Sequence, residues 1–261
     1  EGFANSLKLD VTTADSSVAV NHYNQILHRI EAQNLQSLAF GTSDAKNFTL
    51  SFYVKSNKTG NYSVNIGQQD NSYKQANLLY TINSANTWER KSLTFTGDTS
   101  GVINDDNGSG FEIAWILAAG TTYSSGSNSA SFSSYADANY AANQGVNVFD
   151  TIGNTWFITG VQLEVGQNPT SFEHINNFGE ELAMCQRYFQ KTNAQFLLAG
   201  RGSGTTGGVA TVPLTVPLRA SPTTLDDNNL AFRAYTGSAV DIGNGTVPTV
   251  ASFAETDNTL L

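Results

Sequence analysis

Three tyrosines, Tyr123, Tyr135 and Tyr140, stand within one stretch of small residues at 120–150. A phenol ring offers an apolar face and a hydroxyl that both donates and accepts, so these are the candidate ligand contacts. The plainer alternative is that the rings pack this stretch onto the body of the protein. The stretch shows no clear periodicity, and a loop of about thirty residues in a compact domain is either functional or mobile. A second constellation is the acidic turn carrying Asp98, Asp105 and Asp106, rich in Gly and Asn. Hard oxygen ligands of this kind suit a structural calcium ion, although the order D-x-[DN]-x-[DN]-G is lacking and a solvated turn is the alternative.

Other chemistry finds little to work with. The histidines are His22, His28 and His174, with no HExxH spacing, and no nucleophile elbow, Walker loop or dinucleotide fingerprint occurs. Glu112 and Glu164 could be imagined as glycosidase carboxylates, but both lie in strands facing away from the apolar side. Cys185 is the only cysteine, which excludes an intrachain disulfide and a thiolate metal site. It falls on the apolar side of a helical pattern and is read as a small buried hydrophobe. No enzyme is expected, and no cofactor beyond the calcium.

Composition narrows the partners. The net charge of −9 and the 13 scattered Lys and Arg provide no cationic cluster to displace phosphate counterions, so nucleic acid is excluded. No apolar run approaches the roughly 20 residues that span a bilayer, so no membrane insertion is expected. With 261 residues, 39% of them hydrophobic and only 13% charged, the chain can bury one good-sized core and a smaller appendage.

The elements that must position these residues are strands. In "NFTLSFYVKS", Phe48, Leu50, Phe52 and Val54 alternate with Thr49, Ser51, Tyr53 and Lys55, the period of two that a half-buried strand requires. "NSLKLDV" repeats it with Leu7, Leu9 and Val11, "NYSVNIG" with Tyr62, Val64 and Ile66, and "TWERKSLTFTG" with Leu93 and Phe95. "GFEIAWILAAG" is apolar on both faces, as a central strand covered on both sides should be. "WFITGVQLEVG" sets Phe157, Val161, Leu163 and Val165 against Ile158, Gly160, Gln162 and Glu164. "LHRIEAQNLQSLAF" is read as strand then turn, with a short helix as the alternative. Strands of this length between Gly-, Asn- and Asp-rich turns predict an all-β jelly-roll sandwich over 1–168. A hinge and one short amphipathic α-helix follow over 169–192, the helix at 179–191 with Glu180 and Glu181 in its first turn and Arg187 and Lys191 in its last. A smaller C-terminal β segment occupies 193–261, with "GRGSGTTGG" as a flexible turn and Pro213 and Pro217 marking an edge strand.

Several blocks, in this order, carry a resemblance: "FANSLKLDVTTADSS", "LAFGTSDAKNFTLSFYVKSNKTGNYSV", "YTINSANTWERKSLTFTGDTSG", "ITGVQLEVG", "SFEH", "GEELAMCQRYFQ" and "VPLRASPT". Together they resemble tail-fibre-like virion structural proteins of marine and other tailed bacteriophages, from residue 2 to about residue 225. Members resemble carbohydrate-binding-module jelly rolls, and "TWERKSLTFTGD" looks like the Trp-led strand of such modules. The resemblance implies a non-enzymatic virion component, a tail-fibre or appendage module that recognises host surface polysaccharide. Its expected partners are copies of itself, as a homotrimer, and other virion proteins. A purely structural role on the capsid surface is the alternative, and a polysaccharide-degrading enzyme the third reading. Members carry a further segment ahead of the "FANSL" block, so an edge strand is expected either to be missing or to be supplied elsewhere. The resemblance carries over no catalytic or ligand residue.

Overall fold

The computed structural model describes residues 2–70, 72–173 and 177–190, and farther on 200–202, 208–210, 212–220, 233–235, 239–241, 253–254 and 259–260. The chain divides into two compact units, 1–173 and 174–261.

The first unit is built from nine strands: β1 (Leu7–Asp10), β2 (Tyr23–Glu31), β3 (Phe48–Ser56), β4 (Gly60–Gln68), β5 (Lys74–Ile82), β6 (Glu89–Phe95), β7 (Ser109–Ala119), β8 (Ser129–Ser134) and β9 (Thr155–Val165). They form a four-stranded sheet ordered β1-β9-β3-β6 and a five-stranded sheet ordered β2-β7-β4-β5-β8, with every pair antiparallel. Set β8 aside, and the eight remaining strands have the order of a jelly roll, two Greek keys wound on one another. β1, Leu7–Asp10, pairs with β9 at the edge of the four-stranded sheet.

Alternation along the strands dictates the core. Phe48, Leu50, Phe52 and Val54 of β3 point inward and are fully buried, together with Tyr62, Val64 and Ile66 of β4 and Phe111, Ile113, Trp115 and Leu117 of β7. Burial of each such side chain stabilises by about 1.5–3 kcal/mol. β7 is covered on its second face as well, where Ala114 and Ile116 pack with Tyr140 and Ala141.

Four local readings need correction. In β9 the pairing with β3 slips between Ser51 and Tyr53, at Gly160, whose φ is +56°. One extra residue reverses the parity of everything beyond it. Trp156 and Ile158 therefore point into the core on one side of the bulge, Leu163 packs against the same core on the other, and Phe157 faces outward. Second, 27–40 is not strand then simple turn. β2 runs through Glu31, and a 3-10 helix, Ala32–Leu38, follows and buries Ala32, Leu35 and Leu38.

Third, 120–150 is not one long loop. It holds α1 (Thr121–Ser124), β8, α2 (Asp137–Tyr140) and a 3-10 turn, Val148–Asp150. Its strand escaped notice because "SASFSS" carries a single core contact, Phe132, stacked on Phe111 at 5.8 Å. Fourth, residues 167–173 are tied to the sandwich and are no free hinge. Glu164 accepts from Thr170 N at 2.9 Å and Thr170 Oγ1 at 2.8 Å, and Gln162 Oε1 accepts from Glu173 N at 2.9 Å.

In the second unit, α3 (Phe178–Gln186) is capped by Asn177 Oδ1, which accepts from Gly179 N at 3.0 Å, and Glu180 and Glu181 occupy its first turn. The helix is shorter than expected. Arg187 stands at its C-cap, no basic residue lies in its last turn, and Lys191 lies outside the described residues. Cys185 is exposed, as are Phe178, Leu182 and Met184, so the expected burial of the thiol does not hold. An apolar stripe names the side of a helix that wants a partner without supplying one. Beyond it, Gly200–Gly202 pairs with Gly208–Ala210, and Arg233–Tyr235 with Ala239–Asp241. Residues 203–207, the middle of the expected flexible turn, lie outside the described residues, and the flanking Gly200–Gly202 and Gly208 are strand. Val212–Pro213 is an edge strand, as its proline requires, whereas Pro217 lies in no strand.

Candidate functional site

The outer face of the five-stranded sheet carries a cleft. β2 presents Gln25, Leu27 and Arg29 there, opposite Ile116, Ala114 and Glu112 of β7. Tyr23 begins the row. The far half of the sheet presents polar side chains, Asn65 of β4 and Gln75 and Asn77 of β5, all buried. They are buried because 120–147 docks on them through hydrogen bonds. Gln75 Nε2 donates to the Ala136 carbonyl at 2.8 Å, Asn77 Nδ2 donates to the Asn139 carbonyl, and Asn77 Oδ1 accepts from Ser129 N at 3.0 Å. Asn65 Nδ2 bonds Gln75 Oε1 at 3.2 Å, and Gln144 Oε1 accepts from Ser63 N at 2.6 Å. A buried amide left without these partners would cost about 1–3 kcal/mol, so the cover is held firmly.

The docked cover raises a wall of tyrosines. Tyr140 is 5% exposed and donates to Gln25 Oε1 at 2.5 Å. Its ring lies 5.0 Å from Tyr23 and 6.1 Å from Tyr135, and Tyr135 meets Tyr73 edge-on at 5.1 Å. Tyr23, Gln25, Leu27, Arg29, Tyr73, Glu112, Tyr135 and Tyr140 line an open trough of about 440 Å³. Of the three tyrosines picked from the sequence, Tyr135 and Tyr140 line this cleft. Tyr123 stands behind it and braces Tyr23 at 4.7 Å and Tyr140 at 6.2 Å.

Tyr73 is aimed into the cleft by unusual backbone. Ser72 and Tyr73 both have positive φ, 70° and 44°, a conformation that costs non-glycine residues of order 1–3 kcal/mol each. The ring then lies across Gly67, where an added Cβ would sit 2.8 Å from Tyr73 Cζ. Burial, then the nearby Glu112 and Tyr23, push the Tyr73 phenol up to about 12 against the bond to Gln69. Burial raises Tyr135 and Tyr140 as well, Tyr135 with Asp137 beside it. The hydroxyls of these three are therefore neutral donors and acceptors at physiological pH. Arg29 Nε bonds Glu112 Oε1 at 2.6 Å, while 64% of the Arg29 side chain remains exposed. The cleft thus combines apolar ring faces, phenolic hydroxyls, an amide and a fixed Arg–carboxylate pair.

The other sequence candidates lie elsewhere. Asp98 is buried and accepts from Lys74 Nζ at 2.7 Å and from Ser100 N and Oγ at 3.0 and 2.9 Å. Burial pushes its carboxyl up, and the Lys74 ammonium and the Ser100 donors more than offset this, leaving it below its ordinary value. Asp106 Oδ1 accepts from Gly108 N at 2.7 Å. Among the described residues no three His, Cys, Asp or Glu side chains converge, so Asp98, Asp105 and Asp106 are not brought together. The cation that Asp98 does hold is an ammonium. Glu112 and Glu164 stand on different sheets, Glu164 bonded to Thr170, and so form no facing pair.

Sequence reasoning missed Tyr23, Gln25, Arg29 and Tyr73. Tyr23, Gln25, Leu27 and Arg29 do alternate at the strand period, which was the available signal; Tyr73 offered none, since its aim comes from a turn.

No protein-family model and no curated protein matches the chain. Among solved structures, it is similar to one described as "CBM4 structure and function", at 15% identity and a TM-score of 0.30, covering 59% of this chain and 67% of that one. It is also similar to "Family 16 Carbohydrate Binding Module-2", at 11% identity and a TM-score of 0.29, covering 62% of this chain and 77% of that one.

Proposed function

We propose that the first unit is a glycan-binding module without catalytic activity, whose tyrosine-walled cleft takes a pyranose chain. One observation carries this reading: four rings from three separate segments, Tyr23, Tyr73, and Tyr135 with Tyr140, converge on an open trough whose floor holds Gln25 and the Arg29–Glu112 pair. Sugar rings present apolar C–H faces to aromatic walls and hydroxyls to bidentate polar groups, and this trough offers both. Isothermal titration with a panel of neutral oligosaccharides tests it. Tyr73→Ala and Arg29→Ala should each weaken the bound oligosaccharide at least tenfold, equivalent to about 1.4 kcal/mol. Absence of binding to every neutral oligosaccharide at millimolar concentration would refute the reading.

The sequence blocks quoted above support a finer reading, in which the module is displayed on a tailed-phage virion as a fibre or appendage and meets host surface polysaccharide. Several copies would then add avidity. The exposed Phe178, Tyr188 and Phe189 at and after α3 are apolar surface that self-association would cover, and the phage resemblance favours a homotrimer. Light scattering on the full chain tests that assembly, with a trimer expected and a monomer at every concentration opposing it.

A further inference from the structure

The outer face of the opposite, four-stranded sheet bears a pocket of different chemistry. Register places Lys8 opposite Phe157 and Phe157 opposite Lys55, so the three stand in one line across β1, β9 and β3. Trp88, next to the residue that pairs with Val54, extends the line. Cation and ring alternate along it. Lys8 Nζ lies 5.6 Å and Lys55 Nζ 4.3 Å from the centre of the Phe157 ring, and Lys55 Nζ lies 5.1 Å from that of Trp88. In the neighbouring line Thr159 faces Tyr53, and Phe3 closes the side 5.2 Å from the Tyr53 ring. About 300 Å³ is enclosed.

The two lysines are not equivalent. Lys8 is bonded to Asp10 at 2.9 Å. Lys55 meets no carboxylate among the described residues, in a chain of net charge −9. An ammonium flanked by two rings has given up part of its water, and an incoming anion is attracted more strongly there than in open solvent. A neutral sugar would stack on the rings and leave that charge uncompensated. A closely spaced polyanion would need several free cations and would be repelled by the remaining net charge.

We propose that this pocket binds a single carboxylated pyranose within a glycan, its ring against Trp88 and Phe157 and its carboxylate on Lys55. The proposal stands on residues separate from the tyrosine cleft.

Trp88 makes the test specific, because Trp115 and Trp156 are only 3% and 0% exposed. Acrylamide quenching of tryptophan emission in the full chain therefore reports chiefly on this pocket. The probes are a glucuronate-terminated disaccharide and the same disaccharide ending in glucose. The glucuronate form should protect Trp88, with at least tenfold tighter apparent binding than the glucose form and several-fold weakening on raising sodium chloride from low to physiological levels. Lys55→Met keeps the aliphatic stem and should lose at least tenfold of that binding, whereas Lys55→Arg should retain most of it. Tyr73→Ala, on the other sheet, should leave the protection unchanged. Equal protection by the two disaccharides, indifference to Lys55→Met, equal protection by a mononucleotide, or loss of protection in Tyr73→Ala would each overturn the proposal.

Discussion

The two outer faces of the sandwich obey the same alternation and arrive at opposite solutions. On the five-stranded sheet, small and amide side chains lie flat, and a separate piece of chain docks over them to raise the aromatic walls. On the four-stranded sheet the strands themselves raise Phe157 and Tyr53, and Lys8, Phe157 and Lys55 follow one another by hydrogen-bond register alone. The first site depends on tertiary docking and the second on pairing within one sheet. Sites of the first kind should be costly to disturb and sites of the second kind cheap.

The largest expected effect tests that contrast directly. Tyr140→Ala removes a ring that is 5% exposed and seals the cover, and it should destabilise the protein by about 3–4 kcal/mol in chemical denaturation. Trp88→Ala, on the bare face, should cost less than about 1 kcal/mol. Equal costs would break the comparison. Next comes Asp98→Asn, which strands the Lys74 ammonium, itself 19% exposed, at a cost of about 2–3 kcal/mol. The folded Asp98 carboxyl lies below its unfolded value, so the stability it confers is complete above about pH 4 and lost as pH falls through the folded value. The variant should therefore show a flatter acid limb than the parent.

Gly67→Ala pushes on the Tyr73 ring through a contact of 2.8 Å. Cleft affinity should fall about tenfold while the fold loses no more than about 1 kcal/mol. A ring that simply swung aside without loss of binding would remove Tyr73 from the site. On the alkaline side, Tyr62 and Tyr73 both ionise only near about 12. Their neutral forms favour the folded state, so this stability is intact below about pH 10 and is lost as pH rises through the folded values. Absorbance titration at high pH should show one late phenol step fewer in Tyr73→Phe. The smallest effect is expected for Lys55→Met, within about 0.5 kcal/mol of the parent, since no carboxylate among the described residues would be left unpaired and the aliphatic stem is kept.

How much of this was legible follows the same division. The inward faces of β3, β4 and β6 and the double-sided burial of β7 could be read directly, since burial follows the period of two. β9 misled at Phe157, because one bulged residue at Gly160 reverses parity and no side chain announces it. The tyrosines of 120–150 were recognisable as a cluster in sequence, yet nothing local tells that the amides of β4 and β5 would hold them down. Tyr73 joined them through two left-handed residues. Cys185 went wrong for a different reason: spacing reports which positions share a side, and exposure depends on what arrives to cover it.

The amide floor has a consequence for how such a protein can vary. Gln75 and Asn77 grip main-chain atoms of Ala136, Asn139 and Ser129, groups that every residue type except proline at an N–H supplies alike. The grip is therefore blind to side-chain identity in the segment it anchors. Tyr140, which seals the cover, and Gln144, which bonds Ser63 N, are tied by their side chains. The exposed ring of Tyr135 and other exposed polar tips can be exchanged, and the ligand preference retuned, while the anchorage and the sandwich beneath stay as they are.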